Sequence, residues 1–248
     1  MSLLLLAGTR EARALAFALH DAGMRDAIVS LAGETRHPAA FPFPLRRGGF
    51  GGAAGLAAFI RENRISRIVD ATHPFATYPE IVRKTAMRAG TDYLRLLRPP
   101  WPVRDGWRIA ASLDEASAAL PKGCRALLAT GRKSLKFFEE TDAEWIGLRM
   151  IDPPSGIGRD GPVQPLALTL DATVADEIAT MTAHRVTHLV TKNSGGSNGT
   201  ARLDAAEALR LQVVMVARPH HPGAGADAVT TVEEAFAALM AAGALSGR

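Results

Sequence analysis

The sequence predicts an α/β protein in which helices flank parallel β-sheets. Short apolar runs that suit buried strands alternate with longer segments whose apolar residues recur at helical spacing. Aromatic residues make up only 6% of the chain, which suits helices packed on a parallel sheet better than a β-sandwich. The β-α-β-α-β order also supplies the crossover helices that parallel strands need.

The first half of the chain shows this alternation most clearly. The apolar run 3–7 precedes a segment that places Ala12, Leu15, Ala16 and Leu19 on one helical face. In order, the predicted strands cover 3–7, 27–32, 45–47, 65–71 and 93–97, and the predicted helices cover 11–22, 53–63 and 79–89.

A run of prolines, Pro99-Pro100-Trp101-Pro102, interrupts the alternation and indicates a domain connection. We therefore predict an N-terminal domain over 1–100 and a C-terminal domain over 101–248. The second half is predicted to contain strands over 107–111, 125–129, 144–150, 188–191 and 213–217, helices over 114–120, 134–140, 172–184, 201–211 and 232–242, and a loop over 152–165.

Charge and cysteine content exclude several classes of function. The formal net charge is +4, and no basic stripe is interleaved with aromatics, so a nucleic-acid partner is not expected. The single cysteine, Cys124, cannot form an internal disulfide, and no C-x-x-C spacing suggests a metal site. No apolar stretch approaches the ~20 residues of a membrane span, and we expect a cytoplasmic protein.

A glycine turn joins the first strand to the first helix at Gly8-Thr9-Arg10. A helix N-terminus favours phosphate or carboxylate, and Gly8 permits close approach of a ligand. The pattern is not G-x-G-x-x-G, so a simple tight turn is the alternative interpretation.

The loop after the second strand contains Thr35 and Arg36, and Arg46 and Arg47 follow on the next predicted strand. In a dinucleotide-binding fold this edge meets the adenosine ribose, and an arginine there can pair with the 2′-phosphate of NADP. These residues favour NADPH, while an ordinary basic loop is the alternative.

The strand 65–71 runs into Asp70-Ala71-Thr72-His73-Pro74-Phe75-Ala76. The carboxyl edge of a parallel sheet is where ligands bind in open α/β folds. His73 can transfer protons near neutral pH, although a lone loop histidine often has a structural role. Asp70 can equally bond to turn amides.

Two loops in the second half combine cations, small hydroxyls and glycines: Thr130-Gly131-Arg132-Lys133-Ser134 and Lys192-Asn193-Ser194-Gly195-Gly196. Such loops form nests that bind anions, although each alone could be a capped turn. Together they suit a substrate with several carboxylates.

Taken together, these strings resemble the precorrin-6A reductase family of cobalamin (vitamin B12) biosynthesis, almost end to end. The specific strings are Asp-Ala-Thr-His-Pro-Phe-Ala at 70–76 and Thr-Lys-Asn-Ser-Gly-Gly at 191–196. The resemblance implies NADPH-dependent reduction of one double bond of the precorrin-6A macrocycle. It also implies two Rossmann-like domains with the active site in the cleft between them. The sequence departs from the family at 168–172, so no site residue is carried over from there.

The resemblance and the loop chemistry together give a predicted site. His73 is the predicted proton donor, with Lys192 and solvent as rivals. The predicted cofactor-binding residues are Gly8, Thr9, Arg10, Thr35, Arg36 and Thr72. The predicted substrate-binding residues are Arg132, Lys133, Lys192, Asn193, Ser194 and Gly195.

Other functions stay open at this stage. The substrate could be the cobalt-containing form of precorrin-6A, or the chain could be a non-catalytic NADP(H)-binding sensor. A short-chain-type reductase is disfavoured because neither Tyr78 nor Tyr93 is followed by lysine at Tyr-x-x-x-Lys spacing. No G-x-S-x-G or Walker A pattern supports a hydrolase or a kinase. The sequence does not distinguish a monomer from a dimer.

Overall fold

A computed structural model of the 248-residue chain describes residues 2–33, 40–150, 163–167, 171–197, 199–220 and 227–243. The chain divides into two compact units. The first unit contains Met1–Pro99 together with Pro219–Arg248, and the second unit contains Pro100–Arg218.

The strands and helices of the described residues alternate along the chain. The strands are β1 (Ser2–Leu6), β2 (Ala27–Leu31), β3 (Leu45–Arg47), β4 (Ile65–Asp70), β5 (Asp92–Leu96), β6 (Arg108–Ala110), β7 (Arg125–Ala129), β8 (Trp145–Met150), β9 (Val163–Ala167), β10 (His188–Lys192), β11 (Gln212–Val216) and β12 (Ala228–Val229). The helices are α1 (Arg10–Asp21), α2 (Gly52–Glu62), α3 (Pro79–Arg88), α4 (Leu113–Ala118), α5 (Val174–Ala183), α6 (Thr200–Ala208) and α7 (Val232–Ala241), with a 3-10 helix over Arg132–Phe137.

Each unit is built on a parallel sheet. The strand order is β12-β5-β4-β1-β2-β3 in the first unit and β6-β11-β10-β7-β8-β9 in the second. Every described pairing in both sheets is parallel. The predicted α/β architecture with parallel, helix-flanked sheets is confirmed.

The direction of winding reverses once in each sheet. In the first unit the chain runs outward through β1, β2 and β3 and then returns to place β4 on the other side of β1. In the second unit β7, β8 and β9 run outward and β10 returns beside β7. Such a topological switch point opens a crevice at the carboxyl edge of a sheet, where ligands bind. We call the β1/β4 reversal the first switch point and the β7/β10 reversal the second.

Strand β1 explains why helices cover both faces of the first sheet. Leu3 and Leu5 belong to a core cluster with residues of α1 and α7, whereas Leu4 and Leu6 belong to another with residues of α2 and α3. Successive side chains of a strand point to opposite faces, so a continuous apolar strand needs helices on both sides. One face of the second sheet is covered in the same way, with Leu127 packing in a cluster that includes residues of α5 and α6.

The C-terminal segment corrects the predicted domain range. The prediction assigned 101–248 to one domain, but 219–248 belong to the first unit. Strand β12 pairs with β5, and Ala235 and Leu239 of α7 lie in the core cluster of Leu3 and Leu5. An amphipathic pattern predicts that a helix has an apolar face, but it does not specify which sheet that face covers.

Three local elements also differ from the prediction. The C-terminal part of the predicted loop 152–165 overlaps strand β9, whose Pro165 hid the strand in the sequence; β9 lies at the edge of its sheet, where proline is tolerated. Strand β12 was not predicted, and a 3-10 helix replaces the α-helix expected up to about residue 140. Within the described residues, no helix is long and apolar enough to cross a membrane.

Candidate functional site

The turn after β1 is tied directly across the first switch point. The Thr9 hydroxyl accepts a hydrogen bond from Ala12 N at 3.1 Å, which caps α1, and donates one to Ala71 O at 2.8 Å. Gly8 is exposed with φ +138°, and a Cβ placed on it would meet no atom within 4 Å. The first turn of α1 therefore presents its backbone N–H groups beside open space.

On the other side of the first switch point, a buried ion pair holds the turn after β4. Asp70 is 0% exposed and Arg95 of β5 is 3% exposed, and their side chains form a salt bridge. Asp70 Oδ1 accepts from both the backbone N and the hydroxyl of Thr72, at 3.0 and 2.7 Å. Arg95 donates to the Thr72 hydroxyl at 2.9 Å and to the Thr72 carbonyl at 3.3 Å. We call these contacts the Thr72 clamp.

Tyr93 completes the surroundings of the Asp70 carboxylate. Its hydroxyl donates to Asp70 Oδ2 at 3.1 Å. Burial and, to a smaller extent, the nearby Asp70 charge raise the pKa of the Tyr93 phenol above its ordinary value. The phenol therefore stays protonated at neutral pH and remains a hydrogen-bond donor.

His73 lies in a tight turn that begins where the Thr72 clamp ends. The His73 carbonyl accepts from Ala76 N at 2.8 Å, and its ring Nδ1 accepts from Phe75 N at 3.2 Å. A backbone N–H can only donate, so this contact requires an unprotonated Nδ1 and places the proton of the neutral ring on Nε2. The ring is partly exposed.

A shallow hollow joins the turns after β1, β4 and β5. Its wall includes an ion pair between Arg98 and Glu11, whose Nη1 and Oε2 atoms are 2.7 Å apart. Sequence reasoning missed Arg98 because it follows a strand that carried no recognised motif. The lining residues are Thr9, Glu11, Thr72, Pro74, Leu96, Leu97 and Arg98.

The loop after β2, which was predicted to meet the adenosine ribose, is described by the structure only in part. Thr35 and Arg36 lie outside the described residues. Arg46 stacks on Phe50, with 3.9 Å between its guanidinium carbon and the ring centroid, and donates to the carbonyls of Gly48 and Gly49 at 2.5 and 2.6 Å. Arg46 thus holds the glycine loop before α2, which leaves it poorly placed to bind a phosphate.

In the second unit, the turn after β7 is held by its own hydroxyls. The Thr130 and Ser134 hydroxyl oxygens are 2.5 Å apart, and Ser134 Oγ donates to Gly131 O at 2.6 Å. Both hydroxyl residues are buried, whereas Arg132 and Lys133 are exposed at the start of the 3-10 helix. This turn therefore presents two cations at the second switch point.

The loop after β10 is hydrogen-bonded to residues near both sequence ends of the second unit. The Asn193 amide accepts from Trp101 N at 2.8 Å and donates to Trp101 O at 3.0 Å. The Trp101 indole donates to Gly196 O at 2.7 Å, and Arg218 donates to the carbonyls of Asn193 and Ser194 at 2.8 and 2.9 Å. The predicted substrate ligand Asn193 thus has its amide committed to the backbone of Trp101.

A buried charged cluster of the second unit was not predicted at all. Arg149 and Glu177 pair through two contacts of 2.9 and 2.5 Å, and both side chains are buried. Arg202 of α6 lies near them, and burial lowers the pKa of its guanidinium to about 10. Within the described residues, Arg202 Nε has no hydrogen-bond partner. The only sequence signal was a charged residue inside the apolar run 145–150.

The structure groups the predicted residues by sheet edge. Gly8, Thr9, Arg10, Thr72 and His73 follow β1 and β4 at the first switch point. Arg132 and Lys133 follow β7 at the second switch point, where Lys192 ends β10 and precedes Asn193, Ser194 and Gly195. In the part of the chain that the structure describes, no group of three His, Cys, Asp or Glu residues could hold a metal ion.

Comparison with known proteins decides the family. The family model described as "Precorrin-6x reductase CbiJ/CobK" matches residues 2–240. The chain belongs to this family. Its members are oxidoreductases, so the predicted family and enzyme class are confirmed.

Individual relatives agree with the family over nearly their whole length. The precorrin-6A reductase of Rhodococcus erythropolis is 43% identical over 256 residues, covering 99% of both chains. The solved structure "CobK precorrin-6A reductase" is 34% identical, covers 98% of both chains and superposes with a TM-score of 0.88. A cobalt-precorrin-6A reductase of Priestia megaterium is less similar, at 29% identity over 240 residues.

Proposed function

We propose that this chain catalyses the NADPH-dependent reduction of one double bond of precorrin-6A in cobalamin biosynthesis. The observation that carries the proposal is that each sheet has a switch point flanked by polar, glycine-containing loops suited to anions. Family membership supports precorrin-6A as the substrate.

The first switch point fits the phosphates of a dinucleotide. Gly8 leaves open space for a close approach, and the N-terminus of α1 favours negative charge. When bound, NADPH supplies the hydride. Arg47, exposed at the end of β3 beside β2, is a second candidate cation for the 2′-phosphate. We assign cofactor binding to Gly8, Thr9, Arg10, Thr35, Arg36 and Thr72.

The second switch point suits a polycarboxylate. Arg132 and Lys133 are exposed cations after β7, and Lys192 ends the neighbouring strand β10. We propose that these three side chains pair with carboxylates of the macrocycle. Ser194 and Gly195 would contribute loop donors, and Asn193 would act mainly by holding the loop in place through Trp101.

We propose His73 as the proton donor, with Lys192 and solvent as rivals. To give up a proton, the ring must first carry protons on both nitrogens, and it then loses the contact from Phe75 N to Nδ1. Because a general acid must be protonated before it reacts, a donor of this kind makes kcat fall as pH rises. A flat profile would instead assign the proton to Lys192 or solvent.

The cobalt-free macrocycle is the proposed substrate. The relative named for precorrin-6A is more similar to this chain than the relative named for the cobalt form. The competing hypothesis is cobalt-precorrin-6A, and the two are compared directly by their kcat/KM values.

The proposed reaction uses a water-soluble cofactor and a charged substrate. We therefore propose a cytoplasmic enzyme that needs neither a membrane nor a nucleic acid. The choice between a monomer and a dimer is open to measurement by light scattering.

The decisive experiment follows NADPH oxidation by absorbance with and without precorrin-6A, and repeats it with NADH and with cobalt-precorrin-6A. We expect oxidation that requires the tetrapyrrole and prefers NADPH. NADPH binding without oxidation in the presence of either tetrapyrrole would favour a sensor module and overturn the proposal.

A further inference from the structure

Two cross-strand ion pairs join β4 to β5, one at each end of the strands. Arg67 pairs with Asp92 at the amino end, with 2.6 Å between Nη2 and Oδ2. Asp70 pairs with Arg95 at the carboxyl end. Asp92 is 66% exposed, whereas both members of the carboxyl-end pair are at least 96% buried as side chains. The two pairs share strands and chemistry but differ in what surrounds them.

Stability alone is a weak reason for the carboxyl-end pair. Removing two charges from water is costly, and replacing such a pair with apolar residues is often neutral or stabilising. The Arg95 guanidinium is also not fully satisfied, because its Nε is buried without a hydrogen-bond partner among the described residues. Its Nη atoms, in contrast, all point to groups of Asp70 and Thr72.

The pair converges on the residue immediately before His73. The backbone N, the hydroxyl and the carbonyl of Thr72 are each bonded by Asp70 or Arg95. The polar groups of Thr72 are thereby fixed at the start of the turn. The His73 ring is anchored to Phe75 N in that same turn, so its direction depends on where Thr72 lies.

We propose that Arg95 is a positioning residue for the reaction, which acts through the Thr72 clamp on His73. The inference rests on the proposed function, in which Thr72 contacts the cofactor and His73 donates the proton. Arg95 itself is too buried to reach a ligand, so it affects turnover only through the turn that it holds. Its planar fork is what allows one side chain to bond both the hydroxyl and the carbonyl of Thr72.

The test compares Arg95→Lys with the matched control Arg67→Lys. Each substitution keeps the charge for its ion pair, but only Arg95→Lys loses the fork that spans Thr72. We expect kcat to fall about tenfold or more in Arg95→Lys, because small misplacements of reacting groups cost this much. KM for precorrin-6A stays unchanged, and Arg67→Lys retains wild-type kcat.

A double-mutant cycle with His73→Ala separates positioning from a merely structural role. If Arg95 acts through His73, Arg95→Lys causes no further loss of kcat in the His73→Ala background. Independent, multiplying losses would overturn the proposal, as would equal kcat values for Arg95→Lys and Arg67→Lys. Should Arg95→Lys fail to fold, Asp70→Asn, which keeps an oxygen acceptor for Thr72, takes its place in the cycle.

Failure of the inference is distinguishable from failure of the proposed function. Wild-type protein that does not oxidise NADPH with either tetrapyrrole refutes the function before any variant is compared. Active wild-type protein with additive variants refutes only the role of Arg95.

Discussion

Asn193 bonds both backbone polar groups of Trp101, accepting from its N–H at 2.8 Å and donating to its carbonyl at 3.0 Å. Asn193→Ala leaves both groups buried and unsatisfied, so we expect the free energy of unfolding to fall by about 2–4 kcal/mol. Urea denaturation measures this loss. Asn63→Ala, which removes one amide contact at the end of α2, serves as a control that costs about 1 kcal/mol or less. Equal losses in the two variants would contradict the structural role of Asn193.

Arg202 is a half-buried cation, and the partial removal of water from its guanidinium lowers the pKa of that group. Arg202→Met keeps much of the side-chain volume and removes the charge, while Glu177 retains Arg149 as its partner. We expect the free energy of unfolding to rise by about 1 kcal/mol or more. The exposed Arg108→Met is the control, with a change within about 0.5 kcal/mol. Destabilisation by Arg202→Met would mean that its charge is compensated in the folded protein.

Tyr93 gives the folded protein a pH dependence above pH 10. Its phenol has a raised pKa in the fold, so above about pH 10 the unfolded chain loses this proton first. Stability from this group is complete below pH 10 and declines as pH rises, by up to about 1.4 kcal/mol per pH unit. We expect the stability advantage of wild type over Tyr93→Phe to shrink between pH 9 and pH 11. A constant difference in urea titrations over that range would refute the assignment.

Gly8 tests the cofactor site separately from backbone strain. Gly8→Ala forces a side chain into φ +138° at a cost of about 1–3 kcal/mol, and its methyl occupies the space proposed for the ligand. We expect the Kd for NADPH to rise about tenfold, which corresponds to 1.4 kcal/mol. Gly23→Ala carries similar strain at the far end of α1, with φ +98°, and should leave the Kd unchanged. Calorimetric titration with NADPH compares the two variants.

Lys192 tests the substrate side. Lys192→Ala should raise the KM for precorrin-6A about tenfold through loss of a charged contact, with little change in the Kd for NADPH. Lys122→Ala removes an exposed lysine that precedes β7, whereas the proposed substrate loops follow the carboxyl ends of β7 and β10, and it should alter neither constant. The opposite pattern in Lys192→Ala, a weaker NADPH Kd with an unchanged KM, would transfer this loop to the cofactor site.

The parallel sheets could be predicted because their evidence is local. Leu3 to Leu6 form a continuous apolar strand that ends in a glycine turn, and both properties are visible in the sequence. The partner of α7 could not be predicted, since Ala235 and Leu239 would fit the apolar face of either sheet. Pro165 concealed an edge strand for a related reason: proline is excluded from central strands, and nothing in the sequence marks an edge.

The candidate site was likewise predictable where its evidence is local and not where it depends on distant residues. The turns at Gly8 and His73 were predicted because each follows an apolar strand directly. Asn193 was predicted to bind substrate as a donor of an anion-binding loop, and that role stays a prediction. Its bonds to a tryptophan backbone ninety-two positions away could not be predicted, because they depend on the tertiary fold. Arg95 was missed since a charged residue within a strand is recognisable as a partner only after the neighbouring strand, and with it Asp70, is known.

The return of residues 219–248 to the first unit sets an order of events during synthesis. The ribosome completes the whole of the second unit while the first still lacks β12 and α7. Until β12 and α7 emerge, the apolar face formed by Leu3, Leu5 and α1 has no α7 to cover it. Domains usually fold as units from the N-terminus onward. Here the first strands must wait for a segment made after the whole second unit, which leaves the nascent chain exposed to chaperones and proteases until that segment emerges.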